Sequence, residues 1–390
     1  MKQNTTYKQT ELGLIPEDWE VKKLEELGFF FKGKGVPKTS IETEGKYKCL
    51  TYGDLYTKYD YVIKNVKSFI NDASDSQEIN FGDICIAGSG ETIEDIGKCA
   101  VFIDDKTGYA GGDIIIFRSD ENPLTLSYIL NSDLCKRQKY RLGQGHSVVH
   151  IYSSQLQNLK IPLPPLPEQK KIADCLSTWD SAIEKQNALI NALTDRKKAL
   201  MQQLLTGKKR LPGFSDEWKE VKLGEISIKK SSTLQANSLE ENNGEFKVYG
   251  ASGIVANIDF YNESEEYIGI VKDGSGVGNL MLCDAKSSVL GTLDIIKNNK
   301  KSNLFFIYLI LSKIHFEKYK VGGAIPHIYY RDYSREKINI PSLSEQTAIA
   351  AILATADREL TLQKEKLAQL QSQKKGLMQV LLTGKKRLLN

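Results

Sequence analysis

The sequence predicts an α+β chain in which two similar α/β globules alternate with two long coiled-coil helices, and if those helices pair antiparallel the two halves are related by an internal pseudo-twofold axis. Three observations predict it: a stretch of chain that is written twice, a heptad stripe inside both copies, and matching edges on the segments that precede them. Glu168 to Leu211 returns without a gap as Glu345 to Leu388, with about half of the positions identical, which makes it a true internal repeat. Divided accordingly, the 390 residues read as a first globule over 1–160, a central helix segment over 161–211, a second globule over 212–337 and a distal helix segment over 338–390.

The first globule opens with the polar run Met1 to Gln9, which is not a charged-then-apolar leader. Asp18-Trp19, Lys23-Leu24 and Glu26 mark its near edge and His150-Ile151-Tyr152 its far edge. Between them, β-rich runs such as Asp83 to Ala87 and Ile114 to Phe117 alternate with turn signals, among them Gly88-Ser89-Gly90. A helix is expected from Leu124 to Tyr140.

In the central helix, apolar residues fall at Ile172, Leu176, Trp179, Ile183, Ile190, Leu193, Leu200 and Leu204, with Gln186 and Lys197 as polar interruptions. Those steps of four and three form a heptad seam, the pattern of a coiled coil. Each seam is expected to be buried against the other helix, with the polar positions fixing register. Pro167 suits a first helical turn, and Gly207 a C-terminal stop followed by basic residues that complement the helix dipole.

The second globule repeats both edges, as Glu217-Trp218, Lys222-Leu223 and Glu225, and as His327-Ile328-Tyr329. Tyr267 to Val271 precedes Asp273-Gly274-Ser275-Gly276, Leu293 to Ile296 forms a later apolar run, and Asn303 to Tyr319 a second expected helix. The distal helix carries Ile349, Leu353, Ala356, Leu360, Leu367, Leu370, Leu377 and Leu381, interrupted by Gln363 and Lys374. Ser344 is its expected N-cap and Gly384 its stop.

Composition and motifs argue for binding over catalysis. A formal net charge of +4 is too small to announce nucleic acid by itself, so any basic surface is local. No apolar run is long enough for a membrane span. Six cysteines without a Cys-x-x-Cys pair read as reduced thiols. Gly274-Ser275-Gly276-Val277-Gly278 is followed by Asn279 and is not a dinucleotide fingerprint, and no Gly-x-x-x-x-Gly-Lys-Ser/Thr phosphate loop occurs. Neither Ser89 nor Ser275 sits in a nucleophile elbow. Four histidines, His146, His150, His315 and His327, give little material for a metal or acid/base site, and His150 and His327 are repeat equivalents that read as structural. No Asp/Asn-Pro-Pro-Tyr/Phe stretch marks an amino-methyltransferase.

The repeated Pro-x-Leu-x-Glu-Gln approach to each helix, the Leu-Leu-Thr-Gly-Lys-Lys-Arg exit and the opening Lys8-Gln9-Thr10-Glu11-Leu12-Gly13-Leu14-Ile15-Pro16-Glu17-Asp18-Trp19 resemble the specificity subunit of Type I restriction–modification systems. The resemblance implies that each globule is a target-recognition domain and that the paired helices space the domains and dock the partners. It implies a double-stranded DNA ligand with an asymmetric, bipartite sequence. Two modification subunits would supply S-adenosylmethionine for adenine N6 methylation, and two restriction subunits ATP and Mg for translocation and cleavage, with no cofactor in this chain. The polar opening and the lack of a long apolar run point separately to a bacterial or archaeal cytoplasm. One departure is His150-Ile151-Tyr152, where the family favours Asn-Ile-Ser.

Cations beside glycines are the candidates for phosphate contact. In the first domain these are Lys32, Lys34 and Lys38, then Arg137, Lys139 and Arg141 before Gly143-Gln144-Gly145; in the second, Lys230, Lys272, Lys318 and Lys320. Ser89, Gln144, Ser252 and Ser275 are candidates for base reading. Lys208-Lys209-Arg210 and Lys385-Lys386-Arg387 read as helix-end caps. Two rivals stand beside this reading: a coiled-coil scaffold with protein-binding globules, and a self-sufficient DNA modification enzyme.

Overall fold

The computed structural model describes residues 6–145, 148–239 and 243–388; His146 and the first five residues of the N-terminal run lie outside them. The chain forms two compact units, Met1–Gln186 with Lys366–Asn390, and Asn187–Glu365. Each long helix, Leu166–Leu204 and Leu343–Leu381, therefore gives one half to each unit.

In the first unit a five-stranded sheet runs in the order Gly28–Lys32, Ile114–Ser119, Ile84–Ala87, Cys99–Phe102, Val62–Ile63. A second sheet runs Phe69–Ile70, Tyr47–Leu50, Gly108–Ala110, Gln77–Ile79. The runs Ile84–Ala87 and Ile114–Phe117 are buried on both faces, and the alternation of side chains explains why. Ile84, Ile86, Ile115 and Phe117 pack with Leu126, Tyr128 and Ile129 of the helix Pro123–Leu130. Cys85, Ala87, Ile114 and Ile116 pack with Leu50, Phe102 and Ala110 toward the second sheet.

The second unit repeats this plan with less chain. Its main sheet runs Ser227–Ser231, Leu293–Asn298, Tyr267–Val271, Leu280–Cys283. Between equivalent strands, the first unit has the helix Tyr52–Thr57 and the strands Val62–Ile63, Phe69–Ile70 and Gln77–Ile79, where the second has only Gly253–Ile258. Each unit also joins its edges in a two-stranded ladder, Glu20–Lys23 with Lys160–Leu163 and Lys219–Lys222 with Lys337–Ile340. The expected helices after the main sheets are both interrupted. Pro123–Leu130 and Asp133–Leu142 are split where the Asn131 side chain turns to the Cys99 carbonyl and Ser132 caps the next helix. Leu304–Leu311 is followed by a separate 3-10 turn, Phe316–Tyr319.

The seam is buried or half-buried at every position named from the sequence. One correction concerns what covers it. Ile172, Leu176 and Leu381 belong to the core of the first unit, and Leu204, Ile349 and Leu353 to that of the second, so the helix ends are packed into the globules as well as onto each other. Within each unit the helices run antiparallel. Asp180 bonds Lys374 while Glu168 bonds Arg387, and Asp357 bonds Lys197 while Glu345 bonds Arg210. These are the same contacts made twice, with the repeats exchanging roles.

The helices start at equivalent places, Gln169 N donating to Pro165 O and Gln346 N to Ser342 O. Ser342 thus occupies the position before the helix, and Ser344 lies inside its first turn instead of capping it. Both exits close through a left-handed glycine, Gly207 and Gly384, each at φ 70°. The basic residues after them do more than cap their own helix: Arg210 and Arg387 reach the first turn of the opposite helix. All six cysteines are free thiols, and five are buried.

Candidate nucleic-acid interface

At one end of each main sheet, loops are held together by matching backbone hydrogen bonds. In the first unit Gly88 N donates to Asp113 O (2.8 Å) and Ile151 N to Gly88 O (2.9 Å). In the second, Lys272 N donates to Thr292 O (3.0 Å) and Ile328 N to Lys272 O (2.9 Å). Strand register makes Gly88 equivalent to Lys272 and Ser89 equivalent to Asp273. The repeated histidines pin these loops. His150 Nδ1 lies 2.9 Å from Ser89 Oγ, and His327 Nδ1 lies 2.7 Å from Asp273 Oδ1. Each histidine also exchanges two backbone bonds, His150 with Gln144 and His327 with Val321. Both are therefore struts for a glycine-rich loop. The counterpart of Ser89 is Asp273, not the exposed turn residue Ser275.

What the loops present differs between the units. In the second, the buried carboxylate of Asp294 lies 3.4 Å from Lys229 Nζ and 3.5 Å from Lys272 Nζ. Glu263, also buried, binds Lys230 at 2.6 Å and Lys297 at 2.5 Å. Burial pushes the Glu263 carboxyl up, but the hydrogen bonds from the two ammonium groups outweigh it and hold it below its usual value. A cleft of about 540 Å³ opens beside Lys229, Lys272, Asp294 and His327, bordered by Tyr329 and Arg331. The Arg331 guanidinium carbon lies over the Tyr329 ring, 4.8 Å from its centroid. In the first unit, register sets Phe30 opposite Lys229 in the comparison, Ile115 opposite Asp294 and Gly88 opposite Lys272. At the opposite end of that unit's main sheet from the Gly88 loop, the buried carboxylate of Asp83 is bonded at 2.7 Å by both Arg118 Nε and Nη2.

Of the residues singled out from sequence, Lys32, Lys38, Arg137, Arg141, Gln144, Ser252 and Ser275 are exposed. Lys34 is exposed on its glycine loop, 3.1 Å from Asp75. Lys230 and Lys272 border the carboxylates just described. Arg137 and Arg141 lie on the helix Asp133–Leu142, and Arg137 faces a groove of about 620 Å³ shared with Lys375 and Gln379 of the distal helix, away from the loop cluster. Lys318 is bonded to Glu336 in a separate cleft beside Leu205 and Thr206, and Lys320 pairs with Glu317 at 2.5 Å.

Two expectations are corrected by burial. Lys139 is turned inside the first unit, where Nζ donates to Gly97 O at 2.5 Å, so it does not present a charge to phosphate. Ser89 is buried against His150 and has no face toward a base. The sequence reading missed Asp273, Asp294, Tyr329 and Arg331. The signal for the last two was the alignment of His150-Ile151-Tyr152 with His327-Ile328-Tyr329, which also places Arg331 beside the strut histidine.

The sequence profile described as "Type I restriction modification DNA specificity domain" matches residues 16–195 and 215–372, one match for each repeat. The chain belongs to that Type I specificity family. Among relatives, the provisionally named type I restriction enzyme MjaX specificity subunit of Methanocaldococcus jannaschii is 31% identical over 420 aligned residues, covering 97% of this chain and 96% of the relative. The type I restriction enzyme MjaVIII specificity subunit of the same organism is 27% identical, covering 96% and 95%. Among solved structures, the Type I restriction–modification S subunit from M. genitalium matches with a TM-score of 0.68 at 19% identity, covering 98% of this chain and 97% of that one. A chain from a study titled as the structural basis of complex assembly and conformational transition of the type I R-M system matches with a TM-score of 0.57 at 18% identity, covering 95% and 99%. The family assignment gives the repeat its meaning: a DNA specificity domain, present twice. Among the described residues no cluster of His, Cys, Asp or Glu suited to a metal ion occurs, and no helix is long and apolar enough to cross a membrane.

Proposed function

We propose that each unit of this specificity-family chain reads one half of an asymmetric bipartite DNA sequence, while the two long helices set the spacing and dock two modification subunits. The observation that carries the proposal is the contrast between the repeated and the diverged parts. The helix-end ion pairs, loop bonds and strut histidines are duplicated, whereas side chains at equivalent loop positions are exchanged, Gly88 for Lys272 and Ser89 for Asp273. A frame kept constant under two different reading surfaces fits two different half-sites. For docking, the support is that each helix begins with an exposed leucine at the equivalent position, Leu166 and Leu343. In this scheme the chain itself is noncatalytic. Modification subunits would bring S-adenosylmethionine, and two restriction subunits ATP and Mg, in the cytoplasm.

The test is methylome sequencing of a host that expresses this chain with its cognate modification subunit, against a host lacking only this chain. The expected result is a new bipartite N6-methyladenine motif that depends on the chain. A stable complex that leaves no motif would move the weight to a protein-binding scaffold.

A further inference from the structure

We propose that the cleft beside Asp294 is the base-reading pocket of the second domain, with Lys272 and Arg331 donating to acceptors on a base edge and Asp294 acting as the positioning residue. The inference rests on the DNA-reading function above and assigns it to particular side chains. The backbone of Lys272 is fixed on both sides, its N–H by Thr292 O and its carbonyl by Ile328 N. Its ammonium shares one buried carboxylate with Lys229, and Ser231 Oγ donates to the same oxygen at 3.3 Å. The lysine is thus held by the domain before any ligand arrives, which lowers the entropy lost on contact. Arg331 is three-quarters exposed (75%), and its cation–π contact with the Tyr329 ring restrains the fork beside the cleft.

Charge bookkeeping favours bases over phosphates. Lys229, Lys272 and Arg331 are offset by Asp294, by Asp273 against His327, and by Asp332, whose Oδ1 lies 3.7 Å from Arg331 Nε. With little net charge, the cleft has weak long-range attraction for the backbone but keeps directional donors. Lysine and arginine on a base edge select guanine, which offers O6 and N7 as adjacent acceptors in the major groove. The equivalent surface of the first domain has Phe30, Gly88 and Ile115 in place of Lys229, Lys272 and Asp294. The two domains therefore read by different chemistry, and a guanine contact of this kind belongs to the second half-site alone.

The experiment uses the full chain coexpressed with its modification subunit. Methylomes are compared for wild type, Lys272→Gln, Arg331→Gln and the conservative Lys272→Arg, and binding of the purified complexes to a cognate duplex is measured across a salt series. The expected result is that the two glutamine variants relax one or two positions of one half-site, at a guanine, and leave the other half-site unchanged, with Lys272→Arg retaining the preference. An unchanged motif with the slope of log affinity against log salt reduced by about 0.9 per residue would overturn the proposal in favour of a phosphate contact. An unchanged motif and slope would overturn it outright. Failure of the wild-type complex to methylate any bipartite motif would instead remove the DNA-reading function and this assignment with it.

Discussion

Glu168 shows how much one residue of the repeat organises. Its buried carboxylate accepts from Trp19 Nε1 (2.9 Å), from the Arg387 guanidinium (2.7 Å from Nη2) and from Leu388 N (3.3 Å). It thereby ties the start of the first domain, the start of the central helix and the end of the distal helix into one knot. Glu168→Gln leaves the Arg387 guanidinium, whose side chain is buried, with the more exposed Asp18 as its counter-charge among the described residues, so urea unfolding should show a loss of about 3 kcal/mol. Glu345→Gln breaks the equivalent pair with Arg210, whose side chain is more exposed, and should shift the same transition less. Equal shifts for the two variants would contradict this ranking by burial. Lys139 gives a pH prediction. Burial lowers its pKa from the usual 10.5, so the folded chain sheds this proton at a lower pH than the unfolded chain. Its contribution to stability is therefore unfavourable below the folded pKa and is relieved as pH rises toward 10.5. Buried Cys99 and Cys135 have raised values and act in the opposite sense in the same alkaline window, so the difference between wild type and Lys139→Met reads the lysine together with its coulombic lowering of those two thiols. That difference in urea midpoint should shift in favour of wild type as pH rises through the alkaline range, while DNA affinity and its salt slope stay unchanged at neutral pH.

On the scale of the elements, the polar interruptions of the seam are where sequence and structure meet most closely. Lys374 is buried, bonded to Asp180, and lies 3.8 Å above the Tyr61 ring, while Asp180 also accepts from Tyr128. Burial lowers the Lys374 pKa, and the Asp180 carboxylate works against that shift. A buried ion pair is costly to break and often nearly neutral to replace as a unit. Lys374→Met and Asp180→Asn should each destabilise by about 3 kcal/mol, and the double variant by much less than the sum, as read from a double-mutant cycle in urea. For Lys197 and Asp357, which are more exposed, the coupling should fall to about 1 kcal/mol or below. Additivity in both cycles would remove the register role from these residues. The heptad steps and the stop glycines were legible because they are local and periodic. The partners of Lys374 were not, since Tyr61 and Tyr128 come from a globule whose packing no spacing reveals. For the same reason the expected helix Leu124 to Tyr140 broke at Asn131: its cap depends on Cys99, far away in sequence.

At the scale of the whole molecule, the repeat made the two-domain plan and the family legible, because duplicated helix ends survive as nearly identical text. The reading surfaces were far less so. Gly88 and Lys272, or Ser89 and Asp273, become counterparts only through strand register, and the burial of Lys139 and Ser89 is a tertiary fact. The same duplication allows a test of the helices as a ruler. Asn187–Leu193 and Lys364–Leu370 are one heptad each at equivalent positions, and removing both keeps the alternation of four and three on either side of the cuts. The helix-end pairs and globule cores are untouched. Each helix shortens by about 10 Å at ~1.5 Å per residue, which corresponds to about three base pairs at ~3.4 Å each. The rotational register of a straight helix drifts only ~20° over a heptad, whereas three base pairs turn the duplex by roughly 100° at about 10 base pairs per turn. A shortened ruler therefore meets DNA grooves out of phase. The expected methylome is one with both half-sites unchanged, a spacer shorter by two to four base pairs and a lower fraction of sites modified. An unchanged spacer in a variant that still assembles and methylates would show that the length of the helices does not set the distance between the half-sites.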